Sequence, residues 1–89
     1  LGSERHTFEV IIRLLETVRS GTNNPSRMII ATKMSNRQFY HHMRFCLEKN
    51  LLVLESSSSG RNQIQVKTYG LTEKGQLLLQ SVEKRVYSP

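Results

Sequence analysis

Asn36, Arg37, Tyr40, His41 and Arg44 recur at intervals of one, three, one and three, the spacing that gathers side chains on one face of a helix. None of them is acidic. An arginine offers a planar fork of donors that matches guanine O6 and N7 or a phosphate. An asparagine carries both a donor and an acceptor and suits an adenine edge, while Tyr and His reach phosphates. Together these side chains fit a helix laid in the major groove of DNA. The same pattern on an unpartnered surface helix is a solvated basic face, and this helix alone does not separate the two.

The element that must position them spans residues 35–49. Ser35 followed by Gln38 is a capping box, which satisfies orphan backbone donors at a helix start. Phe39, Met43, Cys46 and Leu47 line the opposite, apolar side. Asn50 suits the left-handed conformation that closes a last turn.

The preceding segment reads as two helices. Residues 5–20 place Phe8, Ile11, Ile12, Leu15 and Val18 on one face, with Val10 and Leu14 widening the stripe. Gly21 ends that helix. Asn24 as cap and Pro25 at the first helical position open a second, whose buried side is expected to be Met28, Ile29 and Ala31 and which stops near Lys33. Only Met34 then precedes the Ser35 cap. Two short helices joined so tightly, the second with a polar front, make a helix-turn-helix, here without the glycine often found in the turn.

Beyond Asn50, residues 51–54 form an apolar, strand-like run, and residues 56–62 (S-S-S-S-G-R-N) read as a polar loop. Residues 63–69 alternate with period two, which puts Ile64, Val66 and Thr68 on one face. This predicts a β-hairpin with Arg61 and Asn62 at its tip. Thr72 caps a final helix carrying Leu78, Leu79, Val82 and Val86, with Leu77 and Tyr87 extending its apolar surface. The expected fold is mainly α with a small β-hairpin, as one domain over residues 5–89. Residues 1–4 are expected to be disordered or a cloning remnant.

The net charge is +6, and its placement says more than its size. Residues 22–71 carry Arg27, Lys33, Arg37, Arg44, Lys49, Arg61 and Lys67 against only Glu48 and Glu55, which is +5 of the +6. A basic middle between near-neutral ends is the footprint of a polyanion binder. The chain has no Asp, its seven acidic residues are scattered glutamates, and no glycine-rich phosphate loop is present, so an enzyme is not expected. Cys46 is the single cysteine, which excludes an internal disulfide and fits a reducing cytoplasm. His41, His42, Cys46 and His6 do not make a convincing set of metal ligands, because Cys46 lies on the apolar side. No metal or cofactor is expected. No apolar run approaches the ~20 residues that span a bilayer.

Three stretches carry a resemblance. Y-G-L-T-E-K-G-Q-L-L-L (residues 69–79) resembles the segment leading from the wing into the last helix of many prokaryotic winged-helix regulators. S-N-R-Q-F (35–39) followed by L-E-K-N-L-L (47–52) resembles the recognition helix and its exit in small archaeal winged-helix proteins, with Asn50 where those usually have Gly. The opening F-E-V-I-I-R-L-L-E-T-V (8–18) is also similar. The chain thus resembles small winged helix-turn-helix DNA-binding proteins of the MarR/PadR-like superfamily from about Arg5 to Val86. Its wing is longer and richer in serine than in the leanest members.

The resemblance implies a three-helix core, a β wing and a C-terminal helix, in a cytoplasmic, nucleoid-associated regulator that binds duplex DNA as a homodimer. Helix 35–49 would lie in the major groove and the wing, residues 55–63, near the backbone or minor groove. Dimerisation through the terminal helices would use Phe8, Ile11, Leu15, Leu78, Val82 and Val86. The expected contacts are Ser26, Arg27, Ser35, Asn36, Arg37, Gln38, Tyr40, His41 and Arg44, with Arg61, Asn62 and Lys67 from the wing. A sequence-tolerant chromatin protein, or a winged helix used for protein contact in a larger assembly, is the alternative. The polar, basic front of helix 35–49 favours DNA over a protein partner, whose binding surface would carry more aromatics and aliphatics.

Overall fold

A computed structural model describes the backbone of residues 2–59 and 65–87 and the side chains of residues 7–55 and 67–83. Helix α1 (Gly2–Arg19) is followed by α2 (Pro25–Thr32), α3 (Asn36–Glu48), strands β1 (Leu52–Ser59) and β2 (Gln65–Leu71), and α4 (Glu73–Tyr87). α1 begins three residues before the expected start.

The three-helix core forms because each helix buries a different width of apolar stripe. α1 contributes Val10, Ile11, Leu14, Leu15 and Val18, with Leu14 and Leu15 fully buried. α3 contributes Phe39, Met43 and Cys46, and Leu79 of α4 closes the core from the other side. Burying a side chain of this size stabilises by roughly 1.5–3 kcal/mol each, so these positions decide the fold. In α2 the inward pair is Met28 and Thr32, four residues apart, with Ile29 half-buried. Ala31, expected inside, is exposed. Thr32 takes a core place because its hydroxyl donates to Met28 O at 2.7 Å, so its burial leaves no polar group unsatisfied.

The helix ends are set by backbone geometry. Gly21 has φ 103°, and Thr22 N–H donates to Thr17 O while Gly21 N–H donates to Val18 O, closing α1 in a Schellman motif. α3 closes the same way through Asn50 at φ 59°, with Leu51 N–H on Cys46 O at 2.8 Å and Asn50 N–H on Leu47 O at 3.2 Å. The expected left-handed role of Asn50 is therefore met.

β1 and β2 pair antiparallel, from Leu52 opposite Leu71 out to Ser59 opposite Gln65, with an irregularity at Glu55. The serine run, expected as a loop from Ser56, continues the strand to Ser59. Serine has little strand preference of its own; pairing with Gln65–Thr68 imposes the conformation. Tyr69 and Gly70 are buried, and Thr68 and Leu71 are half-buried. Alternation defines two faces without saying which turns inward. At the foot of the hairpin Tyr69 N–H donates to Asn23 O at 3.0 Å, which ties it to the α1–α2 loop. Ile64 and the side chain of Val66 lie outside the described residues.

α4 is joined to the exit of α3. Thr72 N–H donates to Leu51 O at 3.2 Å, and Thr72 Oγ1 lies 2.5 Å from Asn50 O and 3.0 Å from Leu51 O while accepting Gly75 N–H at 3.0 Å. A Cβ on Gly75 would stand 2.3 Å from Leu51 O. Gly75 is thus the residue that lets the first turn of α4 touch another backbone.

Gly75→Ala is expected to lower stability by about 1–3 kcal/mol by overpacking, outweighing a helix-propensity gain of up to ~1 kcal/mol. Urea unfolding beside the exposed control Gln76→Ala measures it. A Gly75→Ala midpoint at or above the parent's would show that the close approach is not needed.

Candidate nucleic-acid interface

The inward side of α3 fixes where its outward side points. Phe39, Met43 and Cys46 are 0–2% exposed, so the residues half a turn away must face water. Asn36, Arg37, Tyr40, His41 and Arg44 are all exposed and line one shared depression of about 430 Å³. The structure therefore brings together the five side chains that spacing had grouped, and none of the five is acidic.

Two tight features hold this face. Lys33 adopts a left-handed conformation, φ 58°, at the end of α2 and turns the chain without glycine. A left-handed non-glycine residue costs roughly 1–2 kcal/mol, which the packing of α2 and α3 on α1 must offset. Nothing in the sequence marked Lys33 for this role. Ser35 then caps α3: its Oγ accepts Gln38 N–H at 3.2 Å, and Gln38 Oε1 accepts Ser35 N–H at 3.5 Å. Both side chains are exposed, but the first function of each is to close the box.

Tyr40 is 53% exposed and meets the buried Phe39 ring edge-on at 5.0 Å. Burial pushes the Tyr69 phenol above its ordinary pKa, and the nearby Tyr40 phenol adds to the shift. Tyr40 therefore stands between the polar front and the foot of the hairpin. His41 faces outward. His42 is half-buried and turned aside, its Nδ1 donating to Gln38 O at 2.7 Å. Cys46 is fully buried, and burial pushes its thiol up to about 12, so it stays protonated and inert. His42 and Cys46 thus have separate surroundings. Among the described residues no three His, Cys, Asp or Glu gather as metal ligands.

The outer members of the expected set lie apart from the depression. Ser26 and Arg27 are exposed on the first turn of α2, where Asn24 Oδ1 already accepts Ser26 N–H at 3.0 Å. That bond uses one of the free donors a phosphate would have taken. Lys67 is exposed on β2, opposite Ser57. Arg61 and Asn62 lie outside the described residues.

The terminal-helix surface needs correction. Ile11 and Leu15, expected at a dimer contact, are 5% and 0% exposed and belong to the core of the single chain. The broad stripe of α1 is broad because α1 packs against α2, α3, α4 and β2 at once. Leu78 and Val82 are half-buried, and the side chain of Val86 lies outside the described residues. Among the described residues Phe8 (46%) on α1 and Leu77 (57%) on α4 remain exposed, together with Phe45 (40%) on α3, which no pattern had singled out. Among the described residues no helix is long and apolar enough to cross a membrane.

Comparison with known proteins adds to this geometry. The winged helix-turn-helix family profile matches residues 4–87. No curated protein matches the chain. Among solved structures, a zinc-responsive MarR family member from Lactococcus lactis, ZitR, is similar with a TM-score of 0.69 at 15% identity, over 83% of this chain and 49% of that one. This chain spans about half the length of that protein, and at such an identity the likeness is one of fold.

Ser35→Ala should cost about 1 kcal/mol, because it opens the capping box at the start of α3. Denaturant unfolding reads this directly. A loss within a few tenths of a kcal/mol would mean that the box contributes nothing to holding α3.

Proposed function

Since this chain belongs to the winged helix-turn-helix family, we propose that it is a DNA-binding transcription regulator that reads duplex DNA with the outward face of α3. The observation that carries this reading is the common depression formed by Asn36, Arg37, Tyr40, His41 and Arg44 on a helix whose other side is locked in the core. Arg37 and Arg44 supply charge and bidentate donors for guanine or phosphate. Asn36 reads an adenine edge, and Tyr40 and His41 bond the backbone. Ser26 and Arg27 on α2, with Lys67 on the hairpin, touch flanking phosphates. Gln38 and Ser35 act chiefly by holding α3 in place. Arg61 and Asn62 carry the wing contact near the backbone or minor groove.

A rigid inward anchor matters as much as the charge. Base contacts require side chains held in register, and the rotation of α3 is fixed by three side chains buried to 2% or less. The face is polar and basic, which favours nucleic acid over an apolar protein surface as its occupant.

The double variant Arg37→Ala/Arg44→Ala should keep the fold and lose duplex affinity by roughly 1–3 kcal/mol per bidentate contact. Its slope of log affinity against log salt should fall by about 0.9 for each phosphate contact removed. Unchanged binding in a salt-series titration would remove α3 from the interface. Run against a random duplex and a selected-site pool, the same titration separates a regulator from a sequence-tolerant architectural protein, since a specific site is preferred by ~10³-fold or more.

We further propose a homodimer through the terminal helices, now narrowed to the outer side of α4 around Leu77, the most exposed apolar residue described on α1 or α4. Light scattering should give twice the chain mass of 10.3 kDa, and Leu77→Glu should return it to the monomer value. A parent mass of 10.3 kDa would rule the dimer out.

A further inference from the structure

A second concave surface lies to the side of the proposed DNA face. It is a groove of about 420 Å³ where the first half of α1, the end of α3 and the start of α4 converge. Phe8, Phe45, Leu51 and Leu78 form its apolar walls, and Lys49 and Lys74 supply the cations. Among the described residues no acidic one lines it. Phe8 and Phe45 are 46% and 40% exposed, so two aromatic rings meet water in the same place. Lys49 Nζ stands 5.9 Å from the centre of the Phe45 ring, which puts a positive charge beside the aromatic wall.

The charge decides what kind of occupant fits. A second copy meeting this groove across a two-fold axis would bring Lys49 and Lys74 close to their own counterparts, between chains of net charge +6 each. Like charges across a contact suppress it. An apolar trough with a cationic rim instead matches a helix that carries apolar anchors on one face and carboxylates beside them. The place on α3 matters too. Phe45 and Lys49, four apart, stand on the flank toward the end of the helix, past the residues that line the basic depression. An occupant there leaves that depression open.

We propose that this groove docks an acidic amphipathic helix of another protein, with the outward face of α3 left open beside it. The docking does not depend on DNA, and its test contains none. The probe is a fluorescein-labelled designed helix of about 15–20 residues, with Leu at positions i, i+3, i+4 and i+7 and Glu flanking them. Its control has every Glu replaced by Lys. Titrated with the full chain and followed by anisotropy, the acidic helix should bind saturably and roughly tenfold or more tighter than the basic one. Phe8→Ala/Phe45→Ala should weaken it by a similar factor with an unchanged circular dichroism spectrum. Lys49→Glu/Lys74→Glu should reverse the preference toward the basic helix, a gain that misfolding would not produce. Arg37→Ala/Arg44→Ala should leave peptide affinity in place.

Several results would overturn the proposal. Equal binding of both helices, or binding of neither, removes the charge selection. Loss of peptide binding in Arg37→Ala/Arg44→Ala assigns the peptide to the DNA face. A Phe8→Ala/Phe45→Ala variant that halves the mass in light scattering gives the groove to a second copy. Binding to phosphatidylglycerol vesicles without binding to the acidic helix gives it to a lipid surface.

Discussion

The carbonyl of Leu51 is where the end of α3, the foot of the hairpin and the start of α4 are tied together. Thr72 brings its N–H and its hydroxyl to that oxygen, and Gly75 lets the backbone of α4 lie against it. The chain reaches this point only because Asn50 takes a left-handed conformation and turns Leu51 back over the last turn of α3. Leu51 and Leu52 then enter the core beside Leu79. The joint is made of directional hydrogen bonds to backbone groups, so it sets angles between elements that apolar packing alone would leave loose.

From that joint the orientation of α3 follows. Its inward side chains are held by α1, and its two ends by the Ser35–Gln38 box and the Asn50 turn. A helix fixed at both ends and along one side cannot rotate to bury its arginines, so Arg37 and Arg44 stay in water. Arg19 and Glu83 form an ion pair at 2.5 Å between α1 and α4, but both are about two-fifths exposed or more, and such a pair adds little. Stability in this small domain rests on packing and on the joint, which leaves the surface charges available for binding.

The flanks of α3 differ in character. The front combines arginine, asparagine, tyrosine and histidine, suited to base edges and phosphates. The side toward α1 and α4 combines phenylalanine, leucine and lysine, suited to an apolar face with carboxylates. Two concave surfaces of similar volume thus share one helix, and their chemistry separates what each can hold.

The sequence alone determined the elements whose signals are local. Ser35 with Gln38, Asn24 with Pro25, Gly21, Asn50 and Thr72 each place a cap or turn through bonds made within a few residues, and each does so in the structure. The five-residue front of α3 was legible for the same reason, since helical spacing is a short-range property. Tertiary structure decided what depends on partners distant in the chain. Thr32 is inside and Ala31 outside because of what α2 packs against, and the serines form a strand because β2 lies beside them. Ile11 and Leu15 look like surplus apolar surface until three other helices and a strand are set around α1. The groove with Phe8 and Phe45 was invisible for the same reason. Its walls come from three separate helices, and apolar periodicity cannot tell a residue that is covered from one left half open.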